Sequence, residues 1–360
     1  MDDTNYMNGE IEVLSEQAVI DEQIMLMPYH KNGRLLIIAG QPMTISSQGG
    51  AACFKRHDSC IHRTPWMHLD GIILFGRHHL SSPAICDALS HDVPIHLATS
   101  SGYYRGMIFN PRCAATGAAW MSQYRLFEDE EVCLQAAKNL VDARIRHMRE
   151  MLRRRKNVDT ETARKTMKIS LHAVSRAMNR SALNGVEGHA TRVYFDSLKF
   201  LVPKIYGFKA RNRRPPCDPF NALISLGYTQ LYARVDSMLR AIGLLPELGF
   251  YHQQRSGHAA LASDLMEPFR HVIERCALDM LQRKSVSMDD FTYDDVHGCR
   301  MVPAARRVYA GMIEEAMFTK VKVLDDDASK PLLEQMFGQC MRVKKWIAGE
   351  SDRFEAWRMR

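Results

Sequence analysis

Glu187, His252, Asp264 and Glu267 are the residues whose types and spacing point to chemistry. Glu187 lies in Leu183-Asn-Gly-Val-Glu-Gly188, an acid between two glycines that leave room for close approach to the backbone. Ala190, Thr191 and Tyr194 follow at helical spacing. A helix expected over 186–200 puts Glu187 in its first turn, where an acid also complements the helix dipole. His252 closes Gly249-Phe-Tyr-His, and a short connection leads to Leu261-Ala-Ser-Asp264-Leu-Met-Glu267-Pro-Phe-Arg270. On a helix over 260–284, Asp264, Glu267 and His271 share one face, while Leu261, Leu265, Phe269, Val272 and Cys276 form the apolar one. Pro268 removes a hydrogen bond and crowds the preceding turn, so a kink is expected beside the two acids. Taken singly, each acid also fits a helix terminus or a solvated surface. Together, one imidazole and carboxylates from two helices make a mixed oxygen and nitrogen donor set. That set suits Mg²⁺ or Mn²⁺ with open water positions, and such an ion polarises a phosphodiester and activates a hydroxyl nucleophile.

A second cluster, Cys53, His57, Cys60 and His62, approaches zinc-ligand spacing. Closed zinc sites draw ligand pairs from separated segments, and these four crowd into one stretch, so a loop with incidental Cys and His is the favoured reading. The nine cysteines include no C-x-x-C pair, which points to reduced thiols rather than a disulfide framework.

The elements that must position these residues change character near residue 115. Before it, 24–29 and 34–38 read as strands joined by the turn signal Lys31-Asn32-Gly33. Residues 43–46, 71–75, 95–98 and 103–110 continue as strands, and Ser81-Ser82-Pro83 opens a short helix over 83–89. The stretch 49–65 has no clear periodicity and reads as a loop insertion. After Asn110-Pro111, helices are expected at 129–156, 159–179, 186–200, 220–241, 260–284, 304–319 and 330–347. The fold class is therefore α+β: a polar extension over 1–22, a small β domain with one short helix over 23–112, an all-α-helical catalytic domain over 113–350, and a tail over 351–360.

The chain has 360 residues, 46% hydrophobic and 25% charged, which is ordinary for a soluble globular protein of one or two domains. No run of 18 uninterrupted apolar residues argues for a membrane span, and the acidic start lacks a secretory pattern, so a cytoplasmic protein is expected. The net charge of +7 favours a polyanionic partner. Positive charge gathers at the end of the 129–156 helix, including Arg153, Arg154 and Arg155.

The segments 183–188 through Tyr194-Phe195, Arg211-Asn-Arg-Arg-Pro-Pro-Cys-Asp-Pro-Phe-Asn-Ala-Leu223 through Gly227-Tyr228, and 249–252 through 264–270 resemble, in order and spacing, the CRISPR-associated integrase family (Cas one). The resemblance runs from about residue 24 to 347. It implies a homodimer that assembles with a small ferredoxin-like partner (Cas two family) and inserts spacers into a CRISPR array. By motif position it implies Glu187, His252 and Glu267 as metal ligands, with Asp264 as a further catalytic acid that holds water or substrate. It implies transesterification on double-stranded DNA, the 3′-hydroxyl of a captured fragment attacking the repeat. Arg192, Lys209, Arg211, Arg213 and Arg214, flanking the motifs, become candidates for phosphate contact alongside Arg153, Arg154 and Arg155. The pattern departs at His258-Ala259-Ala260, where many relatives carry a basic residue and then Ser. The rival readings are a stand-alone nuclease or transposon-type integrase with the same catalytic domain, and a non-catalytic DNA-binding scaffold.

Overall fold

β-Branched and aliphatic runs with turn signals between them build the first half. The computed structural model describes residues 24–28, 34–57, 59–110, 116–155, 160–212, 215–253, 255–323 and 326–359. The extension over 1–22, Tyr29, the Lys31-Asn32-Gly33 turn, Pro111, Lys156, Arg213 and Arg214 lie outside the described residues. Strands β1 (Ile24–Pro28), β2 (Arg34–Ile38), β6 (Leu69–Phe75), β8 (Ile95–Ala98) and β9 (Tyr104–Ile108) form a five-stranded sheet in the order β1-β2-β6-β8-β9. β2, β6 and β8 run parallel, and the two outer strands pair antiparallel. β3 (Thr44–Gln48), β4 (Ala51–Arg56), β5 (Ser59–Pro65) and β7 (His79–Leu80) form a second sheet in the order β5-β4-β3-β7. Leu36, Ile38, Ile72 and Leu74 of the first sheet share one buried core with Ile45, Ala52, Phe54 and Trp66 and with Ala84 and Ala88 of α1 (Ser82–Ser90).

The stretch 49–65 is thus a hairpin rather than a loop insertion. Ala51, Ala52, Cys53 and Phe54 are all buried, so β4 carries no apolar–polar alternation to announce it.

The second half is mainly helical: α2 (Thr116–Glu128), α3 (Glu130–Arg154), α4 (Thr160–Arg176), α5 (Arg180–Leu198), α6 (Pro219–Ala241), α7 (Ala260–Met266), α8 (Arg270–Gln282), α9 (Pro303–Phe318) and α10 (Leu332–Ile347). The expected all-helical domain is corrected by two antiparallel hairpins, β10 (Phe291–Asp294) with β11 (Gly298–Met301), and β12 (Lys320–Val323) with β13 (Asp326–Pro331). The first is closed by the Asp294 carboxylate, which accepts from the backbone N–H of Val296 and His297.

The expected seam at 112/113 is corrected too. The chain divides into one compact unit of Met1–Ser122 with Ala233–Leu245, and another of Gln123–Tyr232 with Pro246–Arg360. Within the first unit, Trp120 Nε1 donates to the Gly243 carbonyl at 3.0 Å and Ser237 Oγ to that of Gly102 at 2.8 Å. A Cβ at Gly102, whose φ is +97°, would meet the Arg234 backbone nitrogen at 2.9 Å. The last turns of α6 therefore count with the sheets. Residues 351–359 are not a free tail either, since Phe354 and Trp357 are buried.

Candidate functional site

Asn179 caps α5, its side chain accepting from the N–H of Ala182 at 2.9 Å. The helix thus begins at Arg180, and Glu187 lies roughly two turns in rather than in the first turn. Its position owes nothing to the helix terminus. Gly185 and Gly188 beside it face open space, with no atom within 4 Å of where a Cβ would stand. The Tyr251 hydroxyl donates to Glu187 Oε2 at 2.5 Å. Burial, and then the neighbouring Glu267 carboxylate, raise the Glu187 pKa above the ordinary carboxylate range.

The segment 249–252 wraps around Asp264. A Cβ at Gly249 would lie 2.8 Å from Asp264 Oδ2 and from the Ala260 backbone carbon, so only glycine permits this approach. Asp264, fully buried, accepts backbone hydrogen bonds from Phe250 (2.8 Å), Tyr251 (3.1 Å) and His252 (2.8 Å). Its Oδ1 also meets His252 Nδ1 at 2.7 Å. Burial opposes charge on His252, but the Asp264 hydrogen bond and the Asp264 and Glu267 charges outweigh it and raise the pKa.

Pro268 ends α7 in a 3₁₀ turn, Glu267–Phe269, before α8 resumes. Glu267 is buried within that turn. Its Oε1 pairs with Arg270 Nη2 at 2.8 Å and lies 3.8 Å from His252 Nε2. Its Oε2 is buried with no hydrogen-bond partner and lies 3.9 Å from Arg144 Nε. The 3₁₀ turn shifts the helical phase, so His271 does not join Asp264 and Glu267. It turns to the Pro268 carbonyl at 2.8 Å, its ring tilted against that of His147 with centroids 4.6 Å apart. Leu261, Leu265, Phe269, Val272 and Cys276 are buried as expected.

A polar network lies beneath. Arg144 and Glu274, both buried, form an ion pair, and Tyr194 (2.7 Å) and Tyr228 donate to the same carboxylate. A Cβ at Gly227 would fall 2.3 Å from Ile273 Cγ2, so the missing side chain lets α6 and α8 close up beside Tyr228. The Arg270 guanidinium sits 4.8 Å over the Tyr228 ring.

The basic candidates divide. Arg192 and Lys209 are exposed. Arg211 is turned inward to Asn221 (2.8 Å) and lies over Tyr228. Arg153 and Arg154 share Glu150 at 2.7 Å each, and Arg155 pairs with Asp279. Those two cations, Arg153 before Arg154, outweigh burial and hold the Glu150 carboxyl down at about 2. His258, at the departure from the family pattern, stacks on Tyr232 and meets Ser263 Oγ at 3.1 Å.

In the first unit, Cys53 is buried, Cys60 is exposed, and the His62 ring is satisfied by Thr64 Oγ1 at 2.7 Å. Among the described residues, no group of three or more His, Cys, Asp or Glu side chains is already arranged to hold a metal ion, there or at Glu187, His252 and Glu267. The cysteines described are all free thiols, and no described helix is long and apolar enough to cross a membrane.

Sequence reasoning missed Tyr251, Arg270 and Glu274 as site residues, and Arg144, counted there with the basic helix end over 144–156 as a candidate for phosphate contact, is instead buried against Glu274. Tyr251 and Arg270 stand inside the motifs themselves, and their polarity amid apolar neighbours was the available signal. The Arg144–Glu274 pair spans 130 positions and left none.

Comparison with known proteins agrees with this geometry. Residues 36–315 match the family described as CRISPR associated protein Cas1. A CRISPR-associated endonuclease Cas1 of Mycobacterium tuberculosis is 38% identical over 203 residues, 56% of this chain and 60% of that relative's length. One of Thermus thermophilus is 29% identical over 332 residues, 88% of this chain and 94% of its own. A chain in a solved partial Cas6-RT-Cas1–Cas2 complex superposes with a TM-score of 0.80 at 32% identity, over 90% of this chain and 98% of that one. The chain belongs to the Cas1 family of CRISPR-associated proteins.

Proposed function

We infer that this chain is a metal-dependent DNA integrase and endonuclease that inserts captured fragments into a CRISPR repeat. The observation carrying the reading is the convergence on Glu267, whose Oε1 lies 3.8 Å from His252 Nε2, whose Oε2 is buried without a hydrogen bond, and whose charge is felt at Glu187. Leaving such an oxygen unsatisfied costs about 1–3 kcal/mol, and a carboxylate costs more than a neutral group. Two crowded carboxylates and a lone-pair imidazole nitrogen fit a hard divalent cation, and Glu187, His252 and Glu267 are the residues that would hold Mg²⁺ or Mn²⁺. When bound, that ion supplies Lewis acidity toward a phosphodiester and toward an attacking hydroxyl.

The chain's own groups do the rest. Asp264 occupies Nδ1 of His252 and so aims Nε2 at the site, a positioning role rather than contact with substrate. Tyr251 orients Glu187. Arg270, half over Tyr228 and half on Glu267, offers a guanidinium for a phosphate oxygen. The 3′-hydroxyl of the fragment forms a new bond to the repeat phosphorus and loses its proton. The repeat's own P–O3′ bond breaks, and the departing oxygen takes up a proton. A scaffold without catalysis has no use for a buried carboxylate with an unsatisfied oxygen, which supports the enzyme reading.

Double-stranded DNA, a second copy of the chain and a small Cas2-type protein are the partners proposed. The solved relative is a chain of a partial Cas6-RT-Cas1–Cas2 complex. The test is strand transfer of a labelled fragment into a repeat-containing plasmid, with and without the small partner, in Mg²⁺, Mn²⁺ and chelator. Glu187→Ala and His252→Ala are expected to abolish joining while leaving DNA binding largely intact. Joining by either variant in Mn²⁺ rejects the ligand assignment, and joining that needs no small partner favours the transposon-type reading.

A further inference from the structure

The turn that carries Glu267 is held from behind by the last described residues of the chain. Trp357, buried, stacks on Phe269 with ring centroids 4.7 Å apart and a 22° interplanar angle, and lies 4.9 Å from His147. His147 and His271 both donate from Nδ1 to one acceptor, the Pro268 carbonyl, at 2.8 Å each. The other nitrogen of His147, Nε2, accepts the backbone N–H of Met359 at 2.9 Å. A neutral ring is required for that, because a protonated imidazole has no acceptor. The segment is then pinned along its length. Asn139 Nδ2 donates to the Phe354 carbonyl (2.9 Å), Arg342 Nε to that of Glu355 (3.1 Å), and Arg358 pairs with Asp142 (2.9 Å). Gln339 closes the loop by accepting from the Trp357 N–H at 2.7 Å and donating to the Leu265 carbonyl, inside α7, at 2.5 Å.

We propose that residues 354–359 form a strap that positions Glu267, with Trp357 as the positioning residue and the Pro268 carbonyl as the point through which the turn is held. The reasoning is geometric. A 3₁₀ turn has poorer hydrogen bonds than an α-helix, and Pro268 removes one more donor. The turn therefore needs support from outside its own backbone. The Trp357 stack, the two imidazoles and the Gln339 bridge reach Phe269, Pro268 and Leu265, the residues on either side of Glu267, and the remaining contacts hold the strap itself in place. None reaches the Glu267 carboxylate, so the strap acts on where the ligand stands and takes no part in the reaction.

The test uses the full chain and two routes of release. Trp357→Ala removes the stack, and Met359→Pro removes the N–H that reaches His147 while leaving the indole in place. Amide hydrogen exchange is expected to quicken by about tenfold or more across 264–271 in both variants, while β2 and β6 keep their protection. Trp357→Phe is expected to restore most of it. Mn²⁺ binding, followed by titration of the isolated chain, is expected to weaken by about tenfold in the first two variants. Unchanged exchange across 264–271 in a folded variant overturns the strap, as does a loss spread evenly through the helical unit. If Trp357→Ala fails to fold, Met359→Pro decides. The titration rests on the functional reading above and the exchange does not. An unaltered chain that takes up no Mn²⁺ rejects the metal site alone, and the exchange result still stands or falls by itself.

Discussion

Nδ1 of His252 lies 2.7 Å from Oδ1 of Asp264, a carboxylate already gripped by three backbone N–H groups. In the neutral ring the proton is thereby committed to Nδ1, and Nε2 carries the lone pair on the side of Glu267. Asp264→Asn turns one acceptor oxygen into an NH₂ that faces those donors. Mn²⁺ affinity is expected to fall by about 10–100-fold, with a stability loss of about 1–3 kcal/mol. Calorimetric titration and a thermal melt measure both, and an unaltered affinity removes Asp264 from the positioning role.

Cation binding to the native chain alone should stabilise it. At a concentration about 100 times its dissociation constant, Mn²⁺ is expected to add about 2.7 kcal/mol, read as a rise in melting temperature that chelator reverses. Glu187→Gln and Glu267→Gln should each remove most of that rise. A rise that persists in both variants places the ion elsewhere.

Arg144 and Glu274 are paired in the interior, and neither can be left alone there. Arg144→Met is expected to cost about 3–5 kcal/mol, because the Glu274 charge stays buried without its partner. Adding Glu274→Gln should recover a substantial part. A double variant no more stable than Arg144→Met contradicts the pairing as the source of the loss.

Burial, and next the Arg144 charge, push His271 down to about 3, while burial and then His271 depress His147. Unfolded, each ring titrates near the ordinary 6.5. Between those values the unfolded chain binds protons that the native chain refuses. Stability is thus full above about pH 6.5 and falls as pH drops toward 3, by about 1.4 kcal/mol per pH unit for each such ring. His62 and His96, lowered by burial to about 4, add to the slope. His271→Asn keeps a donor for the Pro268 carbonyl without the titration. Urea unfolding between pH 6 and 4 should show its slope reduced by about 1.4 kcal/mol per unit. A slope equal to that of the unaltered chain refutes the assignment.

For DNA, ion pairing ranks the arginines. Arg153 and Arg154 share one carboxylate, whereas Arg192 and Lys209 are exposed. Arg192→Gln with Lys209→Gln is expected to reduce the salt slope of DNA binding by about two. Arg153→Gln with Arg154→Gln should reduce it less, because Glu150 already engages both guanidiniums and offsets part of their charge. The opposite ranking moves the interface to the end of α3.

The site was legible where side-chain type and short spacing carry the information. Gly249 through His252, and Asp264 with Glu267, are close in sequence, and their chemistry is distinctive without neighbours. What failed to show were features set by partners far along the chain. The start of α5 was misplaced because two glycines beside Glu187 look like a helix boundary, while the real signal was the Asn179 cap. His271 was placed with the acids because a regular period was carried through Pro268, and the 3₁₀ turn resets it. β4 escaped because burial on both faces erases alternation. Trp357 lies in too short a run for any periodicity, and only its contacts with Phe269 and His271 give it meaning.

The bare stretch of α5 has a thermodynamic corollary. Gly185 and Gly188 lie inside a helix, at exposed positions where alanine would fit without touching anything. Each is therefore about 1 kcal/mol less favourable than it could be. The molecule sits below its attainable robustness on the helical surface that flanks Glu187. A methyl group there would harden the scaffold and, on the proposed reading, hold a polyanion's sugar–phosphate rail away from Glu187.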